Sequence, residues 1–210
     1  MEKLTILITA GPTREKIDPI RFISNESSGQ LGFEIAREAK QRGHRVVLIL
    51  GPTHLPVIKG IETIHIESAA QLLKAIKANL PKADVLFMSA AVADFTPVSI
   101  SNRKIKRTKD VTLHLRKTTD ILKIISAPLT KKNKIYVGFC LETEDLIKNA
   151  KAKLQAKRLD YIVATQYTGK SAPFGDKKFS PTILSKEGQP QALKNISKSN
   201  FAKIILEEIS

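Results

Sequence analysis

Leu4-Thr5-Ile6-Leu7-Ile8-Thr9-Ala10 runs into Gly11-Pro12, and a loop later Gly29-Gln30-Leu31-Gly32-Phe33-Glu34-Ile35-Ala36 begins a helical pattern. The apolar run does not alternate, as a strand buried on both faces does not. From Gly29 to Arg42, Leu31, Ile35 and Ala39 fall at i, i+4 and i+8, while Glu34, Arg37, Glu38, Lys40 and Gln41 take the wet side. The unit recurs along the chain. Further apolar runs occupy Arg45 to Leu50, Glu62 to Ile66, Asp84 to Ala90, Ile135 to Cys140 and Asp160 to Ala164. Helices are expected between them: one capped by a Ser68/Gln71 box, one from about Thr143 to Lys157, and one from about Ser197 to Ile209. This alternation predicts a mainly parallel sheet with right-handed crossovers, in a Rossmann-like three-layer α/β sandwich. Val92 to Lys117 and Tyr167 to Pro190 break the pattern, and read as an insertion and as a long loop followed by a β-hairpin.

Composition sets the bounds. The chain has 210 residues, 42% hydrophobic, with 35 Lys+Arg against 20 Asp+Glu for a formal charge of +15. That length is enough for one sizeable core, and the apolar fraction excludes a disordered chain. One cysteine, Cys140, excludes an intramolecular disulfide and a cysteine-based zinc site, which fits a reducing compartment. The first apolar run is too short for a membrane span or a signal peptide, so a soluble cytoplasmic protein is expected. The charge is concentrated: Ser101 to Lys134 holds eleven Lys+Arg and two Asp. Such a surface attracts polyanions, but three Tyr, no Trp and no aromatics interleaved with Arg103-Lys104-Ile105-Lys106-Arg107 argue against a nucleic-acid-binding module.

In a doubly wound fold the loop after the first strand lies at the carboxyl end of the sheet, where ligands bind. Here it delivers Ser24-Asn25-Glu26-Ser27-Ser28-Gly29-Gln30-Leu31-Gly32, which reads equally as an anion cradle or as a Ser N-cap followed by packing glycines. No Gly-x-Gly pair occurs, which counts against a nicotinamide-dependent oxidoreductase. Thr168-Gly169-Lys170-Ser171 imitates the end of a P-loop, but the required first glycine is Ala164 and Pro173 blocks a following helix. Ala90 and Ala91 leave room against the backbone at a strand end, with Asp94 at the rim. Leu146, Ala150, Lys153 and Lys157 share a helical stripe whose lysines either snorkel or face an anion. The four histidines have no metal-ligand spacing, so no protein-held metal is expected, and Cys140 reads as core.

Gly11-Pro12-Thr13-Arg14-Glu15, Ile23-Ser24-Asn25-Glu26-Ser27-Ser28-Gly29, Ala90-Ala91-Val92-Ala93-Asp94, Lys104-Ile105-Lys106, Gly138-Phe139 with Glu142-Thr143, and Leu159-Asp160 to Ala164 together resemble phosphopantothenoylcysteine synthetase (phosphopantothenate-cysteine ligase) of the bacterial type. The resemblance covers residues 1–210 as one ligase domain, with an inserted flap and dimerisation segment and without the fused flavin-dependent decarboxylase. It implies a cytoplasmic enzyme of coenzyme A biosynthesis. CTP with Mg²⁺ converts 4'-phosphopantothenate to an acyl-cytidylate, L-cysteine then forms the amide, and no flavin is involved. A homodimer is implied, and a separate phosphopantothenoylcysteine decarboxylase is a candidate partner.

The resemblance also assigns roles. Asn25 holds the acyl group and Lys104 acts on the acyl phosphate from the flap. Ser27, Gly29, Gly32, Asp94, Lys104, Asp120, Ile121, Phe139, Lys153 and Lys157 match nucleotide contacts. Asn25, Ala90, Ala91 and Asp94 match contacts to phosphopantothenate, and Arg21 matches an arginine reaching the neighbouring subunit's substrate. The chain departs from the family pattern at Thr118-Thr119 before Asp120-Ile121, at Cys140-Leu141 and at Thr165-Gln166. The family's asparagine contact before Asp120 is therefore not carried over.

Overall fold

The computed structural model describes residues 3–107, 110–127, 133–169, 174–186 and 188–209. Six parallel strands form its centre: β1 (Thr5–Ala10), β4 (Arg45–Leu50), β5 (Glu62–His65), β6 (Val85–Met88), β9 (Ile135–Glu142) and β10 (Tyr161–Gln166). They lie in the order β5-β4-β1-β6-β9-β10. The chain thus runs outward one way from β1 and then the other way from β6, which puts the topological switch point between those two strands. β11 (Pro181–Ser185) and β12 (Gln191–Ala192) extend the sheet antiparallel beyond β10, which is the hairpin expected after the long loop. Of the P-loop imitation, Lys170, Ser171 and Pro173 lie outside the described residues.

Side-chain alternation along each strand divides two cores. Ile6 and Ile8 face a cluster with Ile35 and Ala39 of α1 (Gln30–Gln41) and Phe201 and Ile205 of α5 (Lys198–Glu208). Leu7 and Leu86 face the opposite cluster with Leu72 and Ile76 of α2 (Ala69–Asn79), Ile121 of α3 (Ile121–Ile125) and Ala150 of α4 (Leu146–Ala156). Burial on both faces is why the strand sequences are continuously apolar. The α2 capping box forms as read: Ser68 Oγ accepts from the Gln71 amide, and the Gln71 side chain accepts from the Ser68 amide.

Four local expectations change. The helix expected from Thr143 starts at Leu146, because β9 continues to Glu142 beside Gln166 and the Glu142 side chain turns back to Asn149 and Lys153. Glu34, placed on the wet side of α1, is buried; Gln30 donates to its Oε1 at 2.8 Å and Arg37 pairs with it. The loop after β1 contains a small antiparallel hairpin, β2 (Arg14–Lys16) with β3 (Phe22–Ser24). The insertion carries another, β7 (Phe95–Pro97) with β8 (Leu115–Lys117).

Candidate functional site

The site is built where β1 and β6 end. Gly11 at φ +81 turns the chain out of β1, and an amide ladder joins this turn to the end of β6: Ala91 N–H donates to Gly11 O at 2.9 Å and Thr13 N–H to Ala91 O at 3.1 Å. Two buried threonines tie it further, Thr9 Oγ1 accepting from the Ala90 amide at 3.1 Å and Thr13 Oγ1 from the Ala93 amide at 3.0 Å. Thr13 lies in the Gly11 to Glu15 motif but the sequence gave neither threonine a role; their hydroxyls tie the turn after β1 to the chain leaving β6. Asn25 closes the arrangement, its Nδ2 donating to Val92 O at 2.9 Å.

The glycines of the loop are steric. Gly29, not a serine, is the N-cap of α1 at φ 77; Ser27 and Ser28 hydroxyls accept from the Gly29 and Gln30 amides, each at 3.3 Å, just ahead of it. A Cβ on Gly29 would stand 2.9 Å from Thr53 Cγ2 and 3.1 Å from Gly11 N. A Cβ on Gly32 would stand 2.5 Å from Ser89 Oγ and 2.6 Å from Ala10 Cβ. The first turn of α1 therefore sits directly against the ends of β1 and β6.

Two cavities open at this point and share Ala90 and Phe139. The loop cavity, about 230 Å³, is lined by Ser27, Gly29, Gly32, Ala90, Ala91 and Phe139 of the expected residues. Ser89, Cys140, Thr165, Phe179 and Lys198 line it too, and the sequence reading gave none of these a place in a site. Burial pushes the Cys140 thiol up to about 11, so it stays protonated near neutrality and is a poor nucleophile.

The second cavity, about 570 Å³, brings Asp94, Asp120, Ile121, Phe139, Lys153 and Lys157 together with Lys117. Its lysines are already partnered. Lys157 pairs with Asp120, and Lys153 Nζ donates to Glu142 Oε1 at 2.5 Å. Burial works to raise the Asp120 carboxyl, but Lys157 and the Lys123 amide hold it below the usual carboxylate range. Asp120 also caps α3, accepting from that amide at 3.1 Å. The lysine stripe thus faces a cavity, but its charge is largely offset by carboxylates.

Arg21, Asn25 and Lys104 line neither cavity. Arg21 grips the buried Asp18 at 2.5 Å and donates to Ile105 O at 2.9 Å, while Asp18 Oδ2 accepts from the Ile105 amide at 3.1 Å. The Arg21 guanidinium holds the Asp18 carboxyl well below its ordinary range. This clamp anchors the basic segment at Ile105 and leaves Lys104 exposed beside it.

Among the described residues no group of three or more His, Cys, Asp or Glu could hold a metal ion, and no helix is long and apolar enough to cross a membrane. Asp94 is the carboxylate in the second cavity that makes no ion pair among the described residues. That donor set suits a divalent ion arriving on a substrate's phosphates, which needs only one or two protein carboxylates.

Fold and site define a Rossmann-like α/β protein with a glycine-bounded cavity pair at its switch point. The model of the DNA/pantothenate metabolism flavoprotein C-terminal domain family matches residues 1–210, and the chain belongs to that family. It is 42% identical over 212 residues to the coenzyme A biosynthesis bifunctional protein CoaBC of Bacillus subtilis strain 168, covering 100% of this chain and 52% of that protein. The chain spans about half the length of the curated relatives it matches. Among solved structures, the C-terminal domain of a CoaBC protein aligns with a TM-score of 0.84 at 34% identity, covering 100% of this chain and 95% of that one. The DNA/pantothenate metabolism flavoprotein of Streptococcus pneumoniae aligns with a TM-score of 0.84 at 27% identity, over 98% of each chain.

Proposed function

We propose that the chain is a phosphopantothenate-cysteine ligase that joins 4'-phosphopantothenate to L-cysteine in coenzyme A biosynthesis. The observation that carries this reading is the pair of cavities meeting at Ala90 and Phe139, which eleven of the fourteen residues matched to the ligase family line. Membership in a family whose relatives are coenzyme A biosynthesis proteins supports it.

In the proposed reaction the 4'-phosphopantothenate carboxylate attacks the α-phosphate of CTP, and pyrophosphate leaves. The amine of cysteine then attacks the acyl carbonyl and displaces CMP, the ammonium proton passing to solvent as the amide forms. No electrons are transferred, so the reaction needs no flavin. The loop cavity and the Lys157-Asp120 cavity together take the nucleotide, and Ala90 and Ala91 let the acyl chain approach the backbone. Asn25, its plane fixed by Val92 O, keeps one Nδ2 hydrogen and its Oδ1 for the acyl group. Mg²⁺ would supply charge neutralisation on arriving with the triphosphate, and Asp94, which makes no ion pair among the described residues, would be the carboxylate to hold it. Lys104 reaches the acyl phosphate by movement of the exposed segment anchored at Ile105.

The test is pyrophosphate release from protein, Mg²⁺, 4'-phosphopantothenate and either CTP or ATP, with amide formation when cysteine is added. Turnover with CTP above ATP is expected; turnover with neither removes the reading.

A cytoplasmic homodimer is part of the proposal. Phe95, Val98, Ile100, Leu113 and Leu115 lie exposed on and beside the β7–β8 hairpin, an apolar strip of the kind that interfaces cover. Sedimentation is expected to give a dimer, and Leu115→Glu a monomer with reduced ligase activity. The amide product keeps cysteine's carboxyl group, so a decarboxylase acting on it is the expected functional partner, on a separate chain or a linked segment.

A further inference from the structure

Lys198 is the one formally charged side chain among the described residues lining the loop cavity; the others there are Ser, Thr, Gln, Gly, Cys and apolar residues. It is 4% exposed, at the first position of α5. Its Nζ donates to Lys177 O at 2.8 Å and lies 5.3 Å from the centroid of the Phe179 ring, which lines the same cavity. An ammonium has three donors, and that carbonyl takes one. Burying a lysine costs free energy that an apolar strut of the same length would not. Burial lowers its pKa below the ordinary lysine value, and the charges of Asp176 and Glu34 act against that. Glu34 is itself held by Gln30 and Arg37, and Gln30 is a wall residue of the cavity. The lysines that the sequence singles out lie elsewhere: Lys153 and Lys157 are ion-paired in the second cavity, and Lys104 is exposed.

We propose that Lys198 is a phosphoryl-binding residue, the buried cation that meets the anionic group entering the cavity between Ser27-Ser28-Gly29 and Phe179. The proposal deepens the nucleotide-ligase reading, resting on it for the identity of the ligand and on the cavity for its charge. Lys198 and the first turn of α1 approach the cavity from two different helices. A phosphoryl group between them receives a point charge from one side and backbone amides from the other.

The test uses inorganic pyrophosphate and CTP, each titrated calorimetrically into wild type, Lys198→Met and Lys198→Gln, with the melting temperature of each. Gln keeps a donor for Lys177 O and loses the charge; Met loses both. Both variants are expected to bind pyrophosphate about ten- to a hundredfold more weakly, with the Gln variant melting within a few degrees of wild type. If Lys198 is only a strut, Met lowers the melting temperature, Gln restores it and pyrophosphate affinity does not change; that result overturns the proposal. Wild type without affinity for pyrophosphate overturns it as well. Weakened pyrophosphate binding in an enzyme that turns over neither CTP nor ATP would support the phosphoryl site and remove the ligase reading.

Discussion

If the proposed ligase reading holds, Asn25→Ala is expected to slow the second half-reaction by on the order of a hundredfold or more and to let the acyl-cytidylate accumulate. The basis is geometric. One Nδ2 hydrogen of Asn25 is committed to Val92 O at 2.9 Å, so the amide plane is fixed before substrate arrives. In the proposed reaction the remaining donor would meet the developing charge on the acyl oxygen, and loss of one such donor costs about a hundred- to a thousandfold. Alanine removes this donor and the tie between the Ser24 to Gly32 loop and the end of β6. The melting temperature separates the two effects, since a surface hydrogen bond is worth only about 1 kcal/mol. Rapid quenching, with the nucleotidyl intermediate followed by mass spectrometry, reads the outcome. Wild-type rates in both half-reactions would remove Asn25 from the chemistry.

Gly32→Ala is expected to lower the melting temperature by several degrees and to weaken the proposed nucleotide binding at least tenfold. The added Cβ has no free space: Ser89 Oγ stands at 2.5 Å, Ala10 Cβ at 2.6 Å and Thr9 O at 3.0 Å. Two of these belong to β1, a central strand paired on both sides, so α1 is the element that moves. Overpacking of this kind costs about 1–3 kcal/mol, or about 2–4 °C for each kcal/mol in a chain of this size. The displacement opens the wall shared by Gly29, Gly32, Ser89 and Ala90, which is why binding falls with stability. Adding Ser89→Ala removes the hydroxyl contact and the Ser89 hydrogen bond to Thr9 O, but leaves Ala10 in the way. The double variant therefore stays below wild type in thermal denaturation. A Gly32→Ala protein with wild-type stability and affinity would contradict the close packing of α1 on β1.

Legibility differed between elements for identifiable reasons. Apart from the half-exposed edge strand β5, the parallel strands are mostly apolar because they are covered on both faces, and Leu31, Ile35 and Ala39 repeat at the helical spacing, so neither needs a partner to be recognised. Glu34 was misplaced because a helical wheel has two sides, whereas α1 packs on β1 and also beside α5. The β2–β3 hairpin was not expected: each strand has three residues, too few for a periodicity to register. Lys153 and Lys157 were found on one stripe, but their carboxylate partners lie 11 and 37 residues away in sequence. Lys198 falls near the start of the last expected helix and carried no other signal in the sequence.

By itself, then, the sequence determined the strand and helix types, the mainly parallel sheet, the switch-point loop with its two glycines, and ordered motifs that resemble those of phosphopantothenate-cysteine ligases. These are properties of local pattern and of order along the chain. The tertiary structure decided that two cavities meet at Ala90 and Phe139, that Lys153 and Lys157 are ion-paired, and that among the described residues a buried lysine from the last helix is the charged side chain lining the loop cavity. Electrostatic character depends on distance and burial, which packing sets between residues that are remote in sequence.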